Sequence, residues 1–234
     1  MSHVTPEEHA GGVRLLRIDN GKPNAISEAL ANELIEALEK AAQDESVKAI
    51  VIAGSPGMFS AGFDLGTMKK GPEAANAMVK AGGRLALAIY DHPKPVVAAC
   101  GGHAIAMGLF LTMVCDYRVG PEGAFKFAAN ETAIGMTLPT FGIEFARAAL
   151  SKRHYDRVIV QATFYNPSQA VDAGMVDEIV APDQVESRAV EIATTLGELP
   201  ARAFANNKRL SHAPTSELIS STLEENVNSL MPKS

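Results

Sequence analysis

Phe59-Ser60-Ala61-Gly62-Phe63-Asp64-Leu65 sets small residues between an apolar, β-branched run, Ala49–Gly54, and a segment with helical spacing. A turn of this kind leaves backbone N–H groups bare and lets a ligand approach them. Gly62 and Ala61 give the room, and the Phe63 N–H is the candidate donor. Gly101–Gly108 repeats the design behind Pro95–Cys100, with bare N–H groups near Met107 and Gly108 at the head of the apolar run Leu109–Val114. Two such corners can converge on one oxygen. Further along, Asn130–Pro139 is turn-rich and mostly uncharged, with a single carboxylate, Glu131. On its own terms Glu131 is either a solvated turn residue or a carboxyl held against Ala128, Ala129, Ala133, Ile134 and Met136 with a raised pKa. His103, in the second corner, is the rival base, and a structural hydrogen bond is its competing role.

The elements that must carry these residues follow from the periodicity. Gly12–Asn20 alternates as a strand and closes in the turn Gly21–Asn24; Ser27 caps a helix over Glu28–Gln43. A strand over 48–53, a helix over Glu73–Tyr90, a strand over Pro95–Cys100 and a short buried helix over Leu109–Val114 come next. Asp116–Val119, Ala124–Ala129 and Val176–Val180 read as further strands, and the spacing predicts helices over about 183–198, 200–212 and 215–230. Alternating strand and helix units point to an α/β layered domain with buried strands.

Bulk properties narrow the function classes. The chain has 234 residues, 47% apolar and 21% charged, which is enough for one large core. A net charge of −6 argues against nucleic acid and anionic membranes as partners, so an anionic ligand needs local donors and a few lysines. Cys100 and Cys115 fit no metal spacing and read as core residues. With no apolar run near the ~18 residues of a membrane span and no signal peptide in the sequence, a cytoplasmic location is expected.

Taken together, the motifs resemble the crotonase family, the enoyl-CoA hydratases and isomerases. Pro23-Asn24-Ala25-Ile26-Ser27 matches that family's Asn-Ala-Leu-Ser turn. Phe59–Leu65 matches its Ala-Gly-x-Asp-Leu loop, and Gly102–Asp116 its Gly-rich corner ending in Cys-Asp. Asn130-Glu131-Thr132 and Ala173–Asp177 follow in the same order, so the likeness runs from about Gly12 to Val180. The resemblance implies a spiral of strand-strand-helix units over 1–180 and a helical C-terminal trimerisation region over 181–234, in one continuous domain. It also implies a homotrimer, in some members paired into hexamers.

The substrate so implied is an acyl-CoA, with no metal and no other cofactor, CoA being part of the substrate. Its thioester carbonyl would be held by the Phe63 and Met107 N–H groups. Lys22, Ala25, Ala61, Asp64, Leu65, Phe110 and Lys208 map to substrate or CoA contacts, with Lys69 and Lys70 as further candidates for the phosphates. Two departures matter. Met107 stands where the second donor is commonly Gly, and Phe110 stands where hydratases carry the first of two glutamates, the second being matched by Glu131. A single glutamate opposite an oxyanion hole suits a double-bond shift from the 3 to the 2 position, as in the 3,2-enoyl-CoA isomerases. A one-glutamate hydratase and a non-catalytic acyl-CoA-binding or scaffold protein are the alternatives.

Overall fold

Ala49–Ala53 is buried along its whole length because alternate residues enter two different cores. Ile50 and Ile52 face one, with Leu16, Ile18, Val96 and Ala98; Ala49, Val51 and Ala53 face the other, with Val13, Leu15, Val97 and Val119. A strand apolar on both faces needs helices on both sides, and the chain supplies them.

The computed structural model describes residues 2–230. In order the elements are β1 (Val4–His9), β2 (Val13–Ile18), α1 (Glu28–Gln43), β3 (Ala49–Ala53), β4 (Gly57–Ser60), α2 (Leu65–Met68) and α3 (Pro72–Tyr90). They continue as β5 (Val96–Ala99), β6 (Gly102–Ile105), α4 (Met107–Met113), β7 (Tyr117–Pro121), β8 (Phe127–Ala128), α5 (Thr140–Ala149) and α6 (Lys152–Ile159). Last come α7 (Pro167–Ala173), β9 (Glu178–Val180), α8 (Val185–Gly197) and α9 (Ala201–Leu230).

A six-stranded sheet has the order β1-β2-β3-β5-β7-β9, antiparallel only at β1-β2. A smaller parallel sheet has the order β4-β6-β8. Each turn of the chain therefore lays one strand in the large sheet and the next in the small one. After β3-β4 it returns through α3, and after β5-β6 through α4. This is the spiral of strand-strand-helix units of the crotonase fold. Among the described residues no helix is long and apolar enough to cross a membrane.

The sequence reading recovers the buried elements closely, with Ser27 Oγ accepting from the Leu30 N–H at the start of α1. Three strands escape it. β1 has only Val4 buried, so it lacks an apolar alternation, and its Pro6 is tolerated because β1 is an edge strand. β4 and β6 are short and rich in small residues, and so read as loop. The expected strand over Ala124–Ala129 shrinks to the two residues of β8.

At the C-terminus, two expected helices, 200–212 and 215–230, are one continuous α9 with Pro214 inside it. Proline costs about 3 kcal/mol in a helix interior, and burial of Ile219, Leu223 and Val227 beyond it offsets that cost. Val185, Ala189 and Ala193 of α8 cover the second face of the large sheet, while α9 packs on α3 and α5 and brings Ile219, Leu223 and Val227 into the first core.

Candidate active site

The loop after β4 is held from one side by the turn at 23–26. Ala61 N–H donates to the Pro23 carbonyl (2.9 Å), Ile26 N–H to Gly62 (2.8 Å) and Asp64 N–H to Ile26 (3.2 Å). In this parallel bridge the groups flanking Phe63 face the turn, so the Phe63 N–H points the other way. The turn itself is anchored by Asn24, fully buried. Its amide donates to the Ile18 carbonyl (3.1 Å) and the Phe59 carbonyl (2.8 Å) and accepts from the Asn20 N–H (2.8 Å). Asp64 caps α2, accepting from the Gly66 and Thr67 N–H groups and from the Thr67 hydroxyl, which hold its carboxyl below the usual range. It orders the loop.

On the other side lies the second corner. A Cβ placed at Gly62 would fall 2.7 Å from that of Ala106 and 3.4 Å from the Met107 nitrogen, so the two corners touch, backbone to backbone. Met107 opens α4, and among the described residues neither its N–H nor that of Phe63 has a hydrogen-bond partner. Position 107 does not require a glycine's conformational freedom. Met107 is helical, while the strained conformation falls on Ala106, at φ 51° and ψ −126°. Its methyl is the smallest side chain that has to bear it. Gly82, mid-helix in α3, makes room for the two donor residues' side chains: a Cβ there would lie 2.5 Å from the Phe63 ring and 3.4 Å from the Met107 Cε.

Phe63, Phe110 and Glu131 line one cavity of about 430 Å³. Its outer rim is exposed or half-buried, formed by Met68, Gly71 and Pro72 on one side and Gly135, Met136 and Thr137 on the other. The interior is apolar and buried: Ala75, Val79, Phe110, Leu138, Phe141 and Val227. Glu131 is the one titratable residue among those lining it, 8% exposed, with Oε2 unpaired. Burial raises its carboxyl to about 7, where a base and its conjugate acid are both available near neutrality. The left-handed Gly135 lets the Met136 N–H turn back to the Glu131 carbonyl (2.9 Å), which fixes the segment. Phe110 fills its place with a ring packed against Gly142, where a Cβ would lie 3.3 Å from Cζ.

The remaining expected contacts stand outside this cavity. Ala61, Asp64 and Leu65 sit beside Phe63 on the bridged loop and Ala25 on the turn that holds it, Leu65 being 63% exposed, and Lys22, Lys69 and Lys70 are exposed. Lys208 lies away from this cavity. Its ammonium is buried and donates to Asp116 Oδ2 at 2.6 Å, far along α9 from Val227, because a buried cation needs a counter-charge. Lys208→Met is therefore expected to lower stability by about 3–5 kcal/mol in chemical denaturation, leaving Asp116 with the Val96 N–H but no counter-charge, while KM for an acyl-CoA stays within twofold of wild type. His103 accepts from the Lys126 N–H through Nδ1 (3.0 Å), the structural role, and does not line the cavity. Both cysteines are buried, their thiols pushed up by desolvation, Cys100 to about 12. Ala106 and Gly82 were not legible as site residues; for Gly82 the Gly-Gly pair inside a helix was the available signal.

The profile of the family described as enoyl-CoA hydratase/isomerase matches residues 8–231. The chain belongs to the enoyl-CoA hydratase/isomerase family. Its sequence is 28% identical over 213 residues to mouse mitochondrial enoyl-CoA delta isomerase 1, covering 90% of this chain and 74% of that one. Its fold superposes on an enoyl-CoA hydratase/isomerase family protein of Pseudomonas syringae with a TM-score of 0.94, at 33% identity and 98% coverage of both chains. It is likewise similar to the enoyl-CoA hydratase EchA3 of Mycobacterium ulcerans (TM-score 0.91, 36% identity, 97% of this chain and 98% of that one). Family membership thus carries an enzyme acting on acyl-CoA thioesters.

Proposed function

We propose that this family member shifts the double bond of a 3-enoyl-CoA to the 2 position. The observation that carries the reading is a single buried carboxylate, Glu131, whose Oε2 has no partner among the described residues, in a largely apolar cavity that also contains Phe63. The thioester oxygen accepts from the Phe63 and Met107 N–H groups, Glu131 takes a proton from the α carbon, and the resulting enolate keeps its negative charge on that oxygen. Glu131 then returns the proton to the γ carbon, and the electron pairs shift to leave the double bond conjugated with the thioester. Two preorganised donors favour the enolate more than the neutral thioester, which is where catalysis comes from. Phe110 supplies no second carboxylate to deprotonate a water, so hydration lacks one of its parts. The reading includes a homotrimer or hexamer and CoA held along the 61–65 loop.

Hydrogen exchange at the α carbon tests enolate formation. In heavy water, a non-conjugated 3-enoyl-CoA should gain deuterium at that position in the enzyme's presence. A bound thioester that gains none would identify an acyl-CoA-binding protein without catalysis. For kcat/KM, only the ionised carboxylate is a base, so the rate should climb as pH rises through about 7 and then level off.

A further inference from the structure

The cavity's inner wall includes one residue from the C-terminal helix. Val227 of α9 is fully buried and lines the cavity together with Val79 of α3 and Phe141 of α5. Behind that wall the packing does not yield: a Cβ on Gly83 would fall 2.7 Å from Leu223 Cδ1 and 3.0 Å from Phe141 Cδ1. The turn of α9 that carries Val227 is fixed at both cavity walls. Glu224 pairs with Lys80 (2.8 Å) and Arg84 (2.6 Å) of α3, and Asn226 Oδ1 accepts from the Thr140 N–H at the start of α5 (2.7 Å). A helix held to both walls presents a fixed apolar stop at the buried end.

We infer that Val227 sets the length of acyl chain the site accepts, its side chain being the stop that the far end of an unbranched acyl tail meets. The inference rests on the acyl-CoA reading of the cavity and adds to it the point at which the acyl chain ends, inside the protein. Each methylene buried before the stop strengthens binding about fourfold, and each one beyond it adds nothing or weakens binding. Val227→Ala lengthens the accepted chain and Val227→Phe shortens it.

Titration of the whole protein with saturated butanoyl-, hexanoyl-, octanoyl-, decanoyl- and dodecanoyl-CoA, which need no turnover, reads this directly. The chain length at which affinity stops rising should move upward in Val227→Ala and downward in Val227→Phe, with at least a fourfold change for the chain at the wild-type limit. A packing defect would instead weaken every chain length alike, so Phe141→Leu serves as a second enlargement from the opposite element and should shift the limit the same way as Val227→Ala. An unchanged limit in all three variants overturns the inference while leaving the acyl-CoA reading intact. Absence of acyl-CoA binding by the wild-type protein overturns that reading, and the inference with it.

Discussion

Glu131→Gln should lower kcat on a 3-enoyl-CoA by about 10²–10⁴-fold, the usual worth of a positioned general base, and leave acyl-CoA affinity nearly unchanged. Gln keeps the shape and hydrogen-bonding reach of the side chain but cannot accept a proton from carbon. Among the described residues no other titratable group lines the cavity to substitute for it.

The same replacement should change stability in a pH-dependent way. Glu131 titrates near 7 when folded against 4.5 for the free group, so the folded state holds its proton more tightly. Its contribution is fully present below the unfolded value and is lost as pH rises from 4.5 to about 7. The loss is on the order of 3 kcal/mol. Glu131→Gln is therefore expected to be more stable than wild type at pH 8, with the difference shrinking as denaturation is measured at progressively lower pH. Equal pH dependence of the two proteins would place Glu131 in solvent.

Gly108→Ala should be the most damaging single methyl at the site. A Cβ there would fall 2.4 Å from the Ser60 carbonyl oxygen and 2.9 Å from the Ser60 carbon, both main chain, which cannot rotate aside. Gly108 directly follows Met107, and Ser60 precedes Phe63 by one turn of loop. The added methyl thus drives a wedge between the two corners that carry the Phe63 and Met107 N–H groups proposed to hold the thioester oxygen. Loss of one aligned donor costs about 10²–10³-fold in kcat, and overpacking against main chain adds about 1–3 kcal/mol of destabilisation. Gly101→Ala is the matched control, since its nearest neighbour is 4.0 Å away and its φ is ordinary. A Gly108→Ala enzyme with wild-type kcat would show that the two corners do not act together.

What could be read in the sequence depended on how local the cause was. The strands buried on both faces, the Ser27 cap and the two small-residue corners were legible because each arises from a few adjacent residues. Glu131 was legible as the one carboxylate in an uncharged turn, and the resemblance gave it a role. The Lys208–Asp116 pair was not legible because its members are distant in sequence and only the fold brings the charges within 2.6 Å. The strain at Ala106 was not legible for a different reason: alanine carries no mark of an unusual φ. Val227 looked like any apolar position on an amphipathic helix, and reading a break at Pro214 detached it from the body of the helix. Gly82 and Gly83 were visible exceptions to helix propensity, but what they accommodate, the Phe63 ring on one and Leu223 and Phe141 on the other, is a tertiary fact.

One carboxylate opposite two backbone donors should move a double bond without adding water. Ultraviolet absorbance of the conjugated thioester tests this when purified protein is given a 3-enoyl-CoA and, separately, a 2-enoyl-CoA. Absorbance should rise with the first and hold steady with the second. Loss of absorbance with the 2-enoyl-CoA would contradict it, since hydration would then proceed with phenylalanine at position 110.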